Sequence, residues 1–341
     1  MADMARELVE CDRCTLWLVD RDKKELWSRV AHSVDTLKMP MTKGVVGEVL
    51  RSGKLLCVNN VKGSPFFNPE VDKKTGYQTR TLLAVPIFNT QNEIMGVYQA
   101  INKNVPEGFS QEDAELLTMS SIFSGKSLET ALLYNKTLEL YDEVEKTQKE
   151  LVYILGEAGE IRSRETGNHV KRVGEFCFIL AQELKLPAED CELIRLAAPL
   201  HDIGKVSIPD AVLNKPGKLD PAEYEIMKLH ASIGGELLTK SPRRILKAAA
   251  DIAAYHHERW DGKGYPHGIA KEEIPLFARI CSVADVYDAL SNDRCYKKGW
   301  PAAHVEEFLK NESGLRFDPK VIDAFFRRKE DLRRVSLQLA D

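Results

Sequence analysis

No run of eighteen or more apolar residues occurs in the 341-residue chain, so no transmembrane helix is expected. The opening MADMARELVECDRC also lacks the charged-then-apolar order of a secretory signal. Nor is there an excess of positive charge: 48 basic residues face 52 acidic ones, for a formal net charge of −4. That balance leaves no basic footprint for a nucleic-acid backbone. It argues against a duplex partner, though not against a small anionic substrate in a local pocket. The seven cysteines are odd in number and scattered from Cys11 to Cys295, so a disulfide framework is not expected. Cys11 and Cys14 form a CxxC, but no second pair follows at zinc-site spacing, and the TLWLVD behind them reads as a buried strand. Together these absences predict a reduced, cytoplasmic protein without a membrane partner.

What is present is an ordinary globular balance, 43% apolar and 29% charged, on a chain long enough for two domains. The first third is strand-rich. TLWLVD (15–20), ELWSRVAH (25–32), LLCVNN (55–60), TLLAVPIF (81–88) and IMGVYQAINK (94–103) are rich in β-branched and aromatic residues, with turn signals between several of them. VVGEVLRSG (45–53) reads as a short helix stopped by Gly53. Strands and short helices on one sheet predict an α+β domain over residues 1–130.

From Ser110, a candidate N-cap with Asp113 at N3, the period becomes helical, and no proline interrupts until Pro187. Leu133, Thr137, Leu140, Val144, Thr147, Leu151, Ile154, Ala158 and Ile161 are spaced alternately by four and three, and seven of these nine are apolar. Such a seam fits a connecting coiled-coil helix over 131–161 and a parallel homodimer; the alternative is one long helix packed on its own domain. From 162 to 341 nearly every segment, including ELIRLAAPLHDIG and RRILKAAADIAAYHHE, reads as helix, so an all-α domain is expected.

In that helical half His169, His201, His230, His256 and His257 lie on or at the ends of apolar helices, with Asp202 and Asp285 in similar settings. A lone histidine there is more often a hydrogen-bonded core residue. Five of them with two carboxylates point to cations between them, because buried charge needs a partner. Glu165 and His169 are i,i+4 and share a helical face, whereas His201-Asp202 and His256-His257 diverge by about 100° and suit neighbouring ions. A cysteine-free set of eight nitrogen and oxygen donors exceeds one tetrahedral zinc; it suits two or three octahedral ions such as iron or manganese.

HDIGK (201–205), HHERWDGKGYP (256–266) and ADVYDALSNDRCYK (284–297) resemble the HD-GYP group of the HD-domain phosphohydrolases, over roughly Ile154 to Phe326. The resemblance implies metal-dependent hydrolysis of cyclic di-GMP, to the linear dinucleotide pGpG, to GMP, or to both. It implies His169, His201, Asp202, His230, His256, His257 and Asp285 as metal ligands, with Glu165 as the extra carboxylate of the three-metal subgroup. Three divalent ions are expected, two being the alternative, with iron ahead of manganese. His201, Asp202 and Lys205 would be catalytic. Lys205, Arg294 and Lys297 would contact phosphate, and Tyr265 and Pro266 would line the substrate pocket. Cys295 departs from the proline that many members have before the tyrosine.

Glu258 and Asp261 could orient imidazoles but are read as holding the turn at Gly262 and Gly264. His267, His32 and His304 are read as solvated.

The strand-rich part resembles a GAF domain over residues 11 to about 134, through LWLVD, GVVGEVLRSG, FNPEVDKKTGYQTRTLLAVPIF, GVYQAINK and FSQEDAELL. Asn102, Lys103, Phe109 and Asp113 fit a pattern of that family, with Ala114 where glutamate is expected. The resemblance implies a sensor with an unknown small ligand, for which Asp72 and Thr79 are candidates. An opening helix is not read from the first residues, which would fit an N-terminal truncation. A catalytically silent adaptor binding dinucleotide or protein is the alternative function; degenerate domains lose ligands, and this sequence retains the whole set.

Overall fold

The computed structural model describes residues 1–28, 37–67, 69, 72, 76–162, 167–292 and 298–340. They form two compact units, Met1–Tyr141 and Asp142–Asp341. In the first, six strands pair antiparallel in the order β3-β2-β1-β6-β5-β4. These are β1 (Cys11–Asp20), β2 (Glu25–Ser28), β3 (Leu37–Pro40), β4 (Leu56–Val58), β5 (Leu82–Phe88) and β6 (Ile94–Lys103). The sheet is covered on both faces, which explains the unbroken apolar run of β5. Leu83, Val85 and Ile87 pack with Tyr98 and Ala100 under α1 (Ala2–Leu8) and residues Phe109, Ala114 and Leu117. The alternate residues Leu82 and Ala84 pack with Val97 and Trp17 under α2 (Gly44–Ser52). Period-two alternation thus feeds two cores. Each fully buried aliphatic side chain contributes about 1.5–3 kcal/mol.

The sequence reading differs from this unit in three places. An opening helix, α1, is present. The CxxC lies inside β1, which begins at Cys11 rather than residue 15. LKMP forms β3, which alternates but at four residues is too short to read as a strand. The residues of ELWSRVAH beyond Ser28, His32 among them, lie outside the described residues. The Gly53 stop is observed: its φ of 68° is left-handed and its N–H donates to Val49 O.

Asn102 ties down residues 77–81: its Oδ1 accepts from Arg80 N at 2.7 Å, and its Nδ2 donates to Tyr77 Oη and Gln78 O at 2.9 Å each. Asp72 and Thr79 are bonded to each other, through the Thr79 amide and hydroxyl, both at 2.8 Å. Ala114 is buried in the core, where a glutamate would bring an unpaired charge.

α3 (Gln111–Ile161) is one continuous helix of 51 residues, longer than the 131–161 segment of the sequence reading. The reciprocal Ser110–Asp113 cap starts it: Asp113 N donates to Ser110 Oγ at 3.1 Å, and Ser110 N to Asp113 Oδ2 at 2.8 Å. Every residue from 130 to 148 is exposed, so this stretch is not packed on its own domain. The four-three spacing also runs back to Met119 and Phe123, which are 60% and 74% exposed.

The second unit adds α4 (Gly167–Glu183), α5 (Ala188–Ala197), α6 (Asp210–Leu213), α7 (Pro221–Thr239), α8 (Arg244–Tyr255), α9 (Leu276–Ser291), α10 (Ala302–Asn311) and α11 (Pro319–Gln338). α8 buries a run of small residues, Ala248, Ala249, Ala250 and Ala253, so that α5, α7 and α9 can close around it. Phe176 of α4, Tyr287 of α9 and Phe325 of α11 stack edge to face at 5.1 and 5.0 Å. Asp220 and Glu223 form a capping box, with Pro221 at the first helical position of α7.

Two predicted helices end sooner than their apolar patterns suggest. ELIRLAAPLHDIG stops at Ala197, because Pro199 offers no amide hydrogen, and continues as 3₁₀ turns at Ala198–Leu200 and Ile203–Ser207. RRILKAAADIAAYHHE stops at Tyr255, leaving His256 as the cap. Both adjacent pairs, His201-Asp202 and His256-His257, therefore stand just beyond α-helix ends.

Candidate metal centre

Four histidines share one hydrogen-bonding design. His201 Nδ1 meets Ala198 O at 2.9 Å, His230 Nδ1 meets Met227 O at 2.6 Å, and His256 Nδ1 meets Ala253 O at 3.0 Å. His169 Nδ1 meets Asp288 Oδ2 at 2.7 Å. A carbonyl or carboxylate oxygen accepts only, so each Nδ1 carries the hydrogen and each Nε2 is turned the other way.

Three of those Nε2 atoms converge on Asp202. Its Oδ2 lies 3.2 Å from His201 Nε2, and its Oδ1 lies 3.1 and 3.7 Å from His230 and His256 Nε2. Asp285 Oδ1 approaches His169 and His201 Nε2 at 3.8 and 4.0 Å. His257 Nε2 stands 3.1 Å from His230 Nε2, and the His256 and His257 rings lie 3.9 Å apart, tilted rather than divergent. Two groupings have ligand atoms within 4.8 Å of one another: Asp202, His230, His256 and His257; and Glu160, His169 and His201. Among the described residues His201 Nε2, Asp202 Oδ1 and His256 Nε2 are buried without a hydrogen-bond partner.

The backbone permits this closeness at Gly204, where a Cβ would lie 2.0 Å from His230 O and 2.7 Å from Gly234 N. Only a glycine lets the HDIGK turn lie on α7, and with it Asp202 beside His230.

Burial opposes charge on His201, but the Asp202 carboxylate outweighs it and holds the imidazole well above its usual pKa. Burial alone would also neutralise Asp202. Lys205 and His201 outweigh burial and hold it well below the usual carboxylate range. His256 and His257 are pushed down by burial, and His257 further by the neighbouring imidazoles. Inward Nε2 atoms around a shared carboxylate are a donor set for divalent cations, which at His201 would take the place of the Nε2 proton; without thiolate the set suits iron or manganese. The residues fit the implied ions.

The remaining sequence candidates fall as follows. Lys205 Nζ lies 2.7 Å from Asp202 Oδ2. Tyr265 stacks on His257 at 4.7 Å, where burial raises its hydroxyl pKa, and Pro266 follows it in the same turn through a cis bond. Glu258 Oε1 accepts from His267 N and Gly268 N at 2.7 and 3.1 Å, and Asp261 Oδ1 accepts from Lys263 N at 3.1 Å, so both hold the turn. His267 and His304 are exposed. Glu165, Arg294 and Lys297 lie outside the described residues.

Three participants escaped the sequence reading. Asp288, one turn after Asp285, accepts from His169 and, at 2.6 Å, from Arg172 Nε, itself one turn after His169. The paired i,i+3 spacing on α4 and α9 was the available signal. Burial would raise the Asp288 pKa, but His169 and Arg172 outweigh it and hold it low. Glu160, 2% exposed, sits on the last turn of α3 beside Lys205 and His201.

Residues 158–321 match the HD domain family and residues 1–128 the GAF domain family. The 3'3'-cGAMP-specific phosphodiesterase 2 of Vibrio cholerae is 41% identical over 239 residues, covering 69% of this chain and 44% of that protein. The cyclic di-GMP phosphodiesterase response regulator RpfG of Xanthomonas campestris pv. campestris is 42% identical, covering 61% of this chain and 55% of that protein. A cyclic di-GMP phosphodiesterase of Thermotoga maritima is also 42% identical, covering 62% and 58%. The chain spans about half the length of the curated relatives it matches. It belongs to the HD-domain family, with a GAF domain ahead of the HD domain. Within that family, HDIGK and HHERWDGKGYP place it in the HD-GYP group.

Proposed function

We propose that the chain hydrolyses the phosphodiester bonds of cyclic di-GMP, to pGpG, to GMP or to both, under control of the GAF domain. The observation that carries this reading is the convergence of the His169, His201, His230 and His256 Nε2 atoms on Asp202 and Asp285. Divalent ions held there, iron before manganese and three rather than two, would acidify a water and offset charge on the phosphodiester. His257 and, as the added carboxylate, Glu165 complete the proposed ligand set.

The chain's own groups bind and orient. The buried carbonyl and carboxylate partners fix the Nδ1 hydrogens and so the ring orientations; His201, held protonated beside Asp202, would give up its Nε2 proton when a cation binds there. Lys205 would meet phosphate as a point charge, with Lys297, while the Arg294 fork suits two oxygens. Tyr265, stacked on His257, offers a base-sized apolar wall that Pro266 extends. The exposed seam of α3 is proposed as a parallel coiled-coil homodimer contact, and the GAF domain as the seat of a small ligand. The 41% identity to a 3'3'-cGAMP-specific relative supports a second substrate of the same class.

Purified protein loaded anaerobically with Fe(II) or Mn(II) is expected to linearise cyclic di-GMP, and His201→Ala to lower turnover at least a hundredfold. Turnover retained in that variant would sink the assignment. A panel including 3'3'-cGAMP, followed by product chromatography, ranks the substrates and separates pGpG from GMP.

A further inference from the structure

We propose that Glu160 is a positioning residue: from the last turn of α3 it shares the Lys205 ammonium with Asp202 and can keep it when Asp202 is taken by a cation. That leaves Asp202 for cations and the ammonium for a phosphate, the second part resting on the function proposed above. Lys205 Nζ lies between two carboxylates. It is 3.1 and 3.3 Å from the Glu160 oxygens and 2.7 Å from Asp202 Oδ2, and the Glu160 side chain is 2% exposed.

Asp202 is also the carboxylate around which His201, His230 and His256 gather. An ammonium paired with Asp202 alone would occupy an oxygen lone pair and cancel the charge that draws cations. A second buried carboxylate on the far side of the ammonium divides its attraction. When a cation takes Asp202, Glu160 still offers the displaced ammonium a buried carboxylate.

The surrounding backbone is built to keep Glu160 in place. Gly156 and Gly159 let α3 lie on the turn that carries His201 and Asp202; a Cβ at Gly156 would meet Pro199 O at 2.5 Å, and one at Gly159 would meet Ile203 Cα at 3.3 Å. Two residues past Glu160, the Arg162 guanidinium donates to the carbonyls of Lys205, Val206 and Ile208 and pairs with Asp210 at 2.7 Å. The helix end therefore grips the lysine by both its side chain and its main chain.

Mn(II) alone is the probe, titrated into the full chain and read by electron paramagnetic resonance. Glu160→Gln, which keeps size and hydrogen bonding but removes the charge, is expected to weaken Mn(II) binding about tenfold with stoichiometry unchanged. In the Lys205→Ala background the same substitution is expected to change affinity less than about twofold, since no ammonium is left to compete with the cation for Asp202. Equal losses in both backgrounds, or loss of one metal equivalent, would make Glu160 a ligand and overturn the proposal. An unaltered affinity in Glu160→Gln would overturn it too. Glu160→Asp, a shorter carboxylate, is expected to recover most of the affinity; Glu160→Ala replaces Glu160→Gln in the same cycle if that variant does not fold. Cyclic di-GMP turnover by the unaltered protein is measured separately, so a silent enzyme would count against the function and not against this cycle.

Discussion

Asp113 accepts from the Lys103 ammonium at 2.8 Å and from the Ser110 amide at 2.8 Å, with both ionic side chains largely buried. Burial would raise its pKa, but Lys103 and Ser110 outweigh it and hold the carboxyl below its usual value. A depressed folded pKa contributes stability that is complete above the unfolded value, about 3.9, and is lost as pH falls through the folded one. Asp113→Asn is therefore expected to destabilise the GAF unit by about 3 kcal/mol between pH 5 and 8. The difference from wild type should shrink below about pH 4. Urea unfolding across that range is the measurement; a difference that stayed constant down to pH 2 would remove the ionic account. At this scale the sequence was partly readable. The Ser110–Asp113 spacing announced the cap, whereas the Lys103 pairing needs β6 and α3 folded together.

At the scale of elements, the α3 seam makes the clearest demand. Leu133, Leu140 and Val144 are 63%, 49% and 64% exposed, an arrangement that leaves apolar surface in water unless a second helix covers it. Leu140→Glu with Val144→Glu is expected to convert a dimer to a monomer in light scattering, without loss of helix within either unit. A wild-type chain that is already monomeric at tens of micromolar would end the coiled-coil proposal. Long apolar-periodic helices were legible because hydrophobic period and length agree. Their ends were not: Ala197 and Tyr255 close helices whose apolar spacing continues, and the cause is Pro199 in one case and the fit of His256 to its carbonyls in the other. Those early ends matter most for the site, since they bring each adjacent pair to one side. Asp288 stayed hidden because a carboxylate on an apolar helix does not say which cation it faces.

For the whole molecule, a centre that draws on α3, α4, α7, α8, α9 and the 198–207 turns makes bound ions part of the fold of residues 142–341. Removing them with a chelator is expected to lower the melting temperature of that unit by on the order of 10 °C, if the ions are held a thousandfold above their dissociation constant. The GAF unit, whose described residues form no such grouping, should melt unchanged. Calorimetry with and without chelator reads both transitions. A helix that exposes Leu151, Ile154 and Ile161 while burying Val152, Gly156, Gly159 and Glu160 is also a counted object. One residue inserted before Leu151 would turn the upstream part of the helix by about 100° relative to the turn that carries Glu160. Seven would restore the phase to within about 20°. A seam that pairs along the whole helix, as proposed, therefore tolerates insertions of whole heptads and not of single residues.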